Sequence, residues 1–123
     1  MPDELVLEIP ADAAFAVTAR LFVAAAARGL GIGDGATEDL RLAASELVAN
    51  AVETGQPGPI RLTVCLDENS IRLDASGAGH LRDDPPISRQ ALLGSLFEAR
   101  DDAEHGILRL SAPVIRGADE NQA

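Results

Sequence analysis

The spacing of hydrophobic positions changes several times along the chain, and each change marks an element. Leu5, Leu7 and Ile9 alternate with Val6 and Glu8, the two-residue repeat of a short strand that Pro10 ends. Asp12 is a helix N-cap. Phe15, Thr18, Ala19, Phe22, Val23 and Ala26 then recur at the spacing of one helix face until Gly29 supplies a stop. The glycines at 31, 33 and 35 form a flexible connector; no strand immediately precedes this G-x-G, so it does not read as a phosphate loop. Thr37 caps a second helix with a buried stripe of Leu40, Ala44, Leu47, Val48, Ala51 and Val52, while Glu46, Asn50 and Glu53 lie towards its other side. Residues 55–59, rich in glycine and proline, break it.

The period then returns to two. Ile60, Leu62, Val64 and Leu66 share one face against Arg61, Thr63 and Cys65, and Asp67, Glu68, Asn69 and Ser70 make a hairpin turn. The return strand sets Ile71, Leu73 and Ala75 against Arg72 and Asp74. A third helix is expected over residues 87–100 with Leu92, Leu93, Leu96 and Phe97 as its stripe, then an acidic turn over 101–106. A last strand over 107–113 alternates Leu108, Leu110 and Ala112 against Arg109 and Ser111. The order β-α-α-β-β-α-β, with antiparallel strands and helices to one side, predicts an α+β two-layer sandwich. One domain is expected over residues 1–115, with a polar tail over 116–123.

Composition narrows this picture. Phe15, Phe22 and Phe97 are the only aromatic residues, so Leu, Val, Ile and Ala must fill the core. A chain of 123 residues buries about two-thirds of its unfolded surface, enough for a single core. The formal charge of −10 sets the surface against nucleic-acid phosphates and suits solubility or a basic protein partner equally. Cys65 is the one cysteine, which excludes an internal disulfide and a cysteine-based zinc site. His80 and His105 lie in polar segments without a spaced third ligand and are expected to be solvated, not metal-bound. With no run of 18 apolar residues and no basic-then-apolar N-terminal pattern, no membrane association and a cytoplasmic location are expected.

The candidate chemistry sits on the second helix. Glu46 and Asn50, four residues apart, share one helix face. Asn50 offers an uncharged oxygen to a hard cation, and Glu46 a carboxylate one turn away. The same spacing serves an ordinary pair of partly exposed polar side chains, so the residues alone leave both readings open.

The run LRLAASELVANAVETG, from Leu40 to Gly55, resembles the N-box of the GHKL ATPase fold shared by histidine kinases and gyrase. Within that fold it is most similar to the bacterial anti-sigma-factor serine kinases, the RsbW-like group. The likeness extends over nearly the whole chain through the order of strand, long helix, N-box helix, hairpin, glycine pair, helix and final strand. It implies ATP and Mg²⁺ as cofactors, Asn50 as the metal ligand and Glu46 as the base that activates the attacking hydroxyl. Mg²⁺ takes only one or two protein ligands and leaves the rest to water and phosphate. A carboxylate beside the nucleophile accepts its proton while the metal positions the γ-phosphate.

The family's second motif is Asp-x-Gly-x-Gly, whose Asp accepts a hydrogen bond from the adenine amino group. Aligning Gly77 and Gly79 with its glycines puts Ala75 at the Asp position. Asp74 lies one residue away, and strand parity sends it to the opposite face with Arg72 unless a β-bulge turns it back. Ser76 is a weaker donor beside the pair. By resemblance the nucleotide site therefore maps onto Asn50, Asp74, Ser76, Gly77 and Gly79. Thr54 stands where relatives carry His just before the closing glycine. At the phosphate end, relatives have a lid loop and a Gly-x-Gly that opens the next helix and binds phosphate through its N–H groups. Here Ile87 and Arg89 fall at the glycines, Asp83 and Asp84 repel phosphate, Pro85 and Pro86 lack N–H groups, and Arg82 pairs locally with its acidic neighbours. The lid is expected to be deleted.

The resemblance implies three functions. The first is a regulator that binds a sigma factor or an anti-sigma-factor antagonist by partner switching, with a decayed or weak ATP site. The second is an active Mg-ATP-dependent serine kinase that phosphorylates such an antagonist. The third is an unrelated binding module on the same fold, since function resides in sites and not in folds. Relatives commonly dimerise, and apolar residues on the first helix or an exposed strand edge can support a homodimer.

Overall fold

The computed structural model describes residues 4–80, 86–87, 97–102 and 106–113. Five strands, β1 (Glu4–Ile9), β2 (Ile60–Asp67), β3 (Ser70–Ser76), β4 (Glu98–Asp102) and β5 (Ile107–Pro113), form one sheet in the order β1-β2-β3-β5-β4, antiparallel throughout. Two helices, α1 (Ala16–Gly29) and α2 (Asp34–Glu53), pack on each other and cover one face. This is the expected two-layer α+β sandwich.

Alternation builds the core. Along β2 and β3 every second residue is buried: Leu62, Val64 and Leu66 answer Ala75, Leu73 and Ile71 on the inner face, and Ile60 extends that face at the start of β2. Leu108 and Leu110 continue that face on β5. Small residues of α1 and α2, among them Ala19, Ala27, Ala43, Ala44 and Ala51, are fully buried with Val23, Leu40 and Leu47. Alanines allow close helix approach, which suits a chain with few aromatic side chains.

Helix ends differ from the pattern-based expectation. Asp12 does cap, but it caps a single 3₁₀ turn, Ala13–Phe15, by accepting from the N–H of Ala14 at 2.8 Å. The stop after α1 is Gly31 and not Gly29. Gly31 has φ +81, its N–H reaches the Arg28 carbonyl at 3.0 Å and that of Ile32 the Ala27 carbonyl at 2.9 Å, the paired bonds of a Schellman cap. The connector is correspondingly short. Helix α2 starts at Asp34, with Thr37 one turn inside, where its buried hydroxyl donates to the Gly33 carbonyl at 2.8 Å. Gly55, φ +69, ends α2 as expected, with the Gln56 N–H on the Ala51 carbonyl at 2.9 Å.

Two expected faces are also corrected. Val52 is exposed, whereas Asn50, read as facing away from the buried stripe, is fully buried. The larger difference is β4. Residues 98–102, expected as a helix end and an acidic turn, form an edge strand paired with β5. Its sequence, EARDD, has no apolar alternation to read. The body of the expected third helix, including Leu92, Leu93 and Leu96, lies outside the described residues, and so do Arg82, Asp83, Asp84, Pro85, Arg89 and His105. Phe97 is buried.

Candidate functional site

The candidate site forms where the end of α2 meets the turn that leaves β3. Asn50 is held near the end of α2, four residues before its Thr54 cap, and its side chain lies against the chain just beyond β3. Its Nδ2 donates to the carbonyl oxygens of Ala78 at 3.1 Å and His80 at 2.9 Å. Two carbonyl acceptors can be satisfied only by the amide nitrogen, so this side-chain orientation follows from its partners. One carboxamide thus clamps two nearby peptides of the turn. Glu46 lies one turn earlier on α2, half-buried, and has partners of its own.

The two glycines of the turn are required for different reasons. Gly77, φ +79, sits so close to Pro59 that an added Cβ would collide with the Pro59 carbonyl oxygen. Gly79, also at φ +79, packs against α2: a Cβ there would lie 2.5 Å from Gln56 Nε2 and 2.8 Å from Thr54 Oγ1. Both facts select glycine, through a left-handed backbone and through lack of space. Thr54, at the position where relatives carry His, donates its hydroxyl to the Asn50 carbonyl at 2.7 Å and accepts from Gln56 Nε2 at 3.2 Å. Gln56 and Thr54 therefore form the wall that receives Gly79. No periodic signal marks Gln56; it lies in a breaker segment where side chains are usually solvated.

Ala75 and Asp74 are separated by the pleat. Ala75 is fully buried on the inner face beneath the helices and offers neither donor nor acceptor. The register from β3 to both neighbours is unbroken, so no bulge turns Asp74 inward. Asp74 lies on the outer face, where Arg109 Nε and Nη2 donate to its two oxygens at 2.9 and 3.2 Å. Arg72 Nε lies 3.2 Å from the same carboxylate. The hydrogen bond from Arg109 to Asp74, reinforced by charge, raises the guanidinium pKa further above its ordinary value. Ser76 ends β3 on this outer face, opposite Arg61 and Ile107 in the ladder.

The structure therefore brings Asn50, Gly77 and Gly79 together, with Glu46 on the same helix, and sets Asp74 and Ser76 on the far side of the sheet. His80 is less isolated than its loop position suggests. Its Nδ1 lies 3.0 and 3.1 Å from the carboxylate oxygens of Asp101 on β4, although the imidazole is exposed. Among the described residues no group of three or more His, Cys, Asp or Glu side chains converges as a metal site. No helix among them is long and apolar enough to cross a membrane.

Comparison with known proteins places this architecture in a class. Residues 9–111 match the histidine kinase-like ATPase domain, so the chain belongs to that family. Among solved structures it is similar to the RsbU and RsbW domains of Rv1364c from Mycobacterium tuberculosis, with a TM-score of 0.68 and 23% identity. That alignment covers 92% of this chain and 32% of the other, so the present chain spans about a third of the length of that two-domain chain. At this identity the likeness establishes the fold. No curated protein sequence matches.

Proposed function

We propose that this domain is an anti-sigma-factor-like regulator that acts by switching between protein partners, a sigma factor or the antagonist that competes for it, and that its nucleotide site is weak. The observation that carries this reading is the β3 pleat: the inner-face position presents the methyl group of Ala75, while the neighbouring carboxylate, Asp74, is committed to two arginines on the outer face. With Ala75 in place of a carboxylate at that position, the site forgoes a charge-assisted hydrogen bond of about 1.5–3 kcal/mol, or one to two decades in affinity. The metal-binding position fits better, because Asn50 is fixed by two hydrogen bonds. When bound, Mg-ATP would supply a transferable phosphoryl group. Asn50 would hold the metal, beside the turn that Gly77 and Gly79 shape.

Calorimetric titration with Mg-ATP tests the weak site. The expected outcome is no binding below millimolar nucleotide, with Ala75→Asp tightening binding by about ten- to a hundredfold. Micromolar binding by the unaltered domain, abolished in Asn50→Ala, overturns it. That result would favour the second reading, a serine kinase in which Glu46 acts as base, for which the ordered Asn50 clamp is the supporting feature. Partner switching is tested separately, by co-purification from the native cell: recovery of neither a sigma factor nor an antagonist speaks against it.

A further inference from the structure

The two edges of the sheet are built differently. On β4, four of the five residues carry charge, Glu98, Arg100, Asp101 and Asp102, with both signs mixed. On β1, Leu5 and Val6 are 43% and 46% exposed. The β1 register to β2 runs unbroken from Glu4 to Ile9, with neither a bulge nor a proline. Its other side has no strand partner among the described residues. Such an edge offers its outward N–H and C=O groups to an extended chain, which mixed charges, bulges and prolines would otherwise discourage. The two faces of β1 ask for different neighbours. Leu5 and Leu7 lie on the inner face, where burial fades from Ile9 towards Leu5. Glu4 and Glu8, both exposed, lie on the outer face on either side of Val6.

We propose that β1 is the docking edge for an extended segment of a partner protein in which aliphatic and basic residues alternate, and that the segment adds a further strand to the sheet. In such an addition the main-chain hydrogen bonds supply affinity and the alternate side chains supply choice. Aliphatic residues of the segment cover Leu5 and Leu7 on the inner face, and its basic residues meet Glu4 and Glu8 on the outer face. Glu8 lies 3.3 Å from Arg61 yet keeps 55% of its side chain exposed, so it can accept from a second cation. The formal charge of −10 draws a basic segment in from a distance. Charge also decides against a second copy as the occupant, because another β1 brings the same two glutamates and no basic residue. The edge has a defined end. Where β1 stops, a cleft of about 400 Å³ lies between Glu8, Ile9 and Pro10 on one side and the Pro57–Pro59 segment on the other. Its three prolines give apolar walls and Glu8 a carboxylate. That combination suits one long basic side chain, with its stem on the prolines and its charge on Glu8. Docking here requires neither nucleotide nor a sigma factor, and so goes beyond the partner-switching reading.

Fluorescence anisotropy with the full chain and labelled synthetic peptides tests it. The probe alternates valine and arginine. One comparison peptide carries glutamate in place of arginine, and two others carry N-methyl groups on alternate backbone amides, one in each phase. The arginine peptide is expected to bind at least about tenfold more tightly than the glutamate peptide. Methylation in one phase should abolish binding and in the other be tolerated, since only every second N–H of an added strand faces the sheet. Glu8→Arg should weaken the arginine peptide about tenfold, whereas Glu98→Arg on the opposite edge should leave its binding unchanged, with circular dichroism unaltered in both. Amides of β1 should gain protection from hydrogen exchange when the peptide is bound. No binding of the arginine peptide overturns the proposal, and so does equal binding of the glutamate peptide. Equal loss from Glu98→Arg, or tolerance of methylation in both phases, also overturns it, by marking unspecific attraction to an acidic protein. None of these results depends on the nucleotide titration or the co-purification, so the two readings fail separately.

Discussion

Asn50 and Asp74 are the two polar side chains that a nucleotide site of this family would draw on most, and the fold treats them in opposite ways. Asn50 is fully buried and turned towards the glycine turn, where its amide holds the Ala78 and His80 carbonyls. Asp74 is turned away, onto the open face of the sheet, into an ion-pair network with Arg72 and Arg109. Helix position alone placed one residue in the site, and strand parity alone removed the other. A one-residue offset that would be harmless on a loop is decisive on a strand, because the pleat allows only two directions. One polar side chain is thus kept at the glycine turn while the other, one position out of phase, is turned to the far face of the sheet.

The largest effect that sharpens this contrast belongs to the turn itself. Gly77→Ala drives a Cβ into the Pro59 carbonyl and imposes a left-handed φ on an ordinary residue, so a loss of about 3 kcal/mol is expected in urea denaturation. Asn50→Ala follows, at about 2 kcal/mol, because it leaves two carbonyl acceptors without their donor and opens a small void. Hydrogen exchange provides its check: loosening of the turn at Gly79 and His80, with β2 and β3 protection retained, is the expected signature. Asp74→Asn is the mildest. Arg109 is 40% exposed and Arg72 26%, solvent already screens the network, and about 1 kcal/mol or less should be lost in a thermal melt. If Asp74→Asn proved costlier than Asn50→Ala, the outer network would be the structural centre and the contrast would be reversed.

Much of the fold was legible because its strands are half-buried. Ile60 to Ala75 alternate so regularly that the β2–β3 hairpin, its inner face and the outward turn of Asp74 all follow from period two. β4 was not legible for the same reason in reverse: at an edge where four of five residues are charged and none is fully buried, burial imposes no pattern. Helix ends were misplaced where glycines cluster, since Gly29, Gly31, Gly33 and Gly35 are alike in sequence and only hydrogen bonding distinguishes a cap from a connector. In the site, the resemblance drew attention to Asn50, Gly77 and Gly79. It gave no hint of Gln56, whose role is steric and whose partner, Gly79, lies on another element. Asn50 itself was misjudged because a buried amide on an alanine-rich helix looks like a polar face until its acceptors are known.

His80 has a mechanical consequence. Its carbonyl is gripped by Asn50 on α2, while its imidazole meets Asp101 on β4. One residue therefore joins the helix layer to the far edge of the sheet. A load applied to β4 is passed to α2 through that link, which gives way when the hydrogen bond at one end or the other breaks.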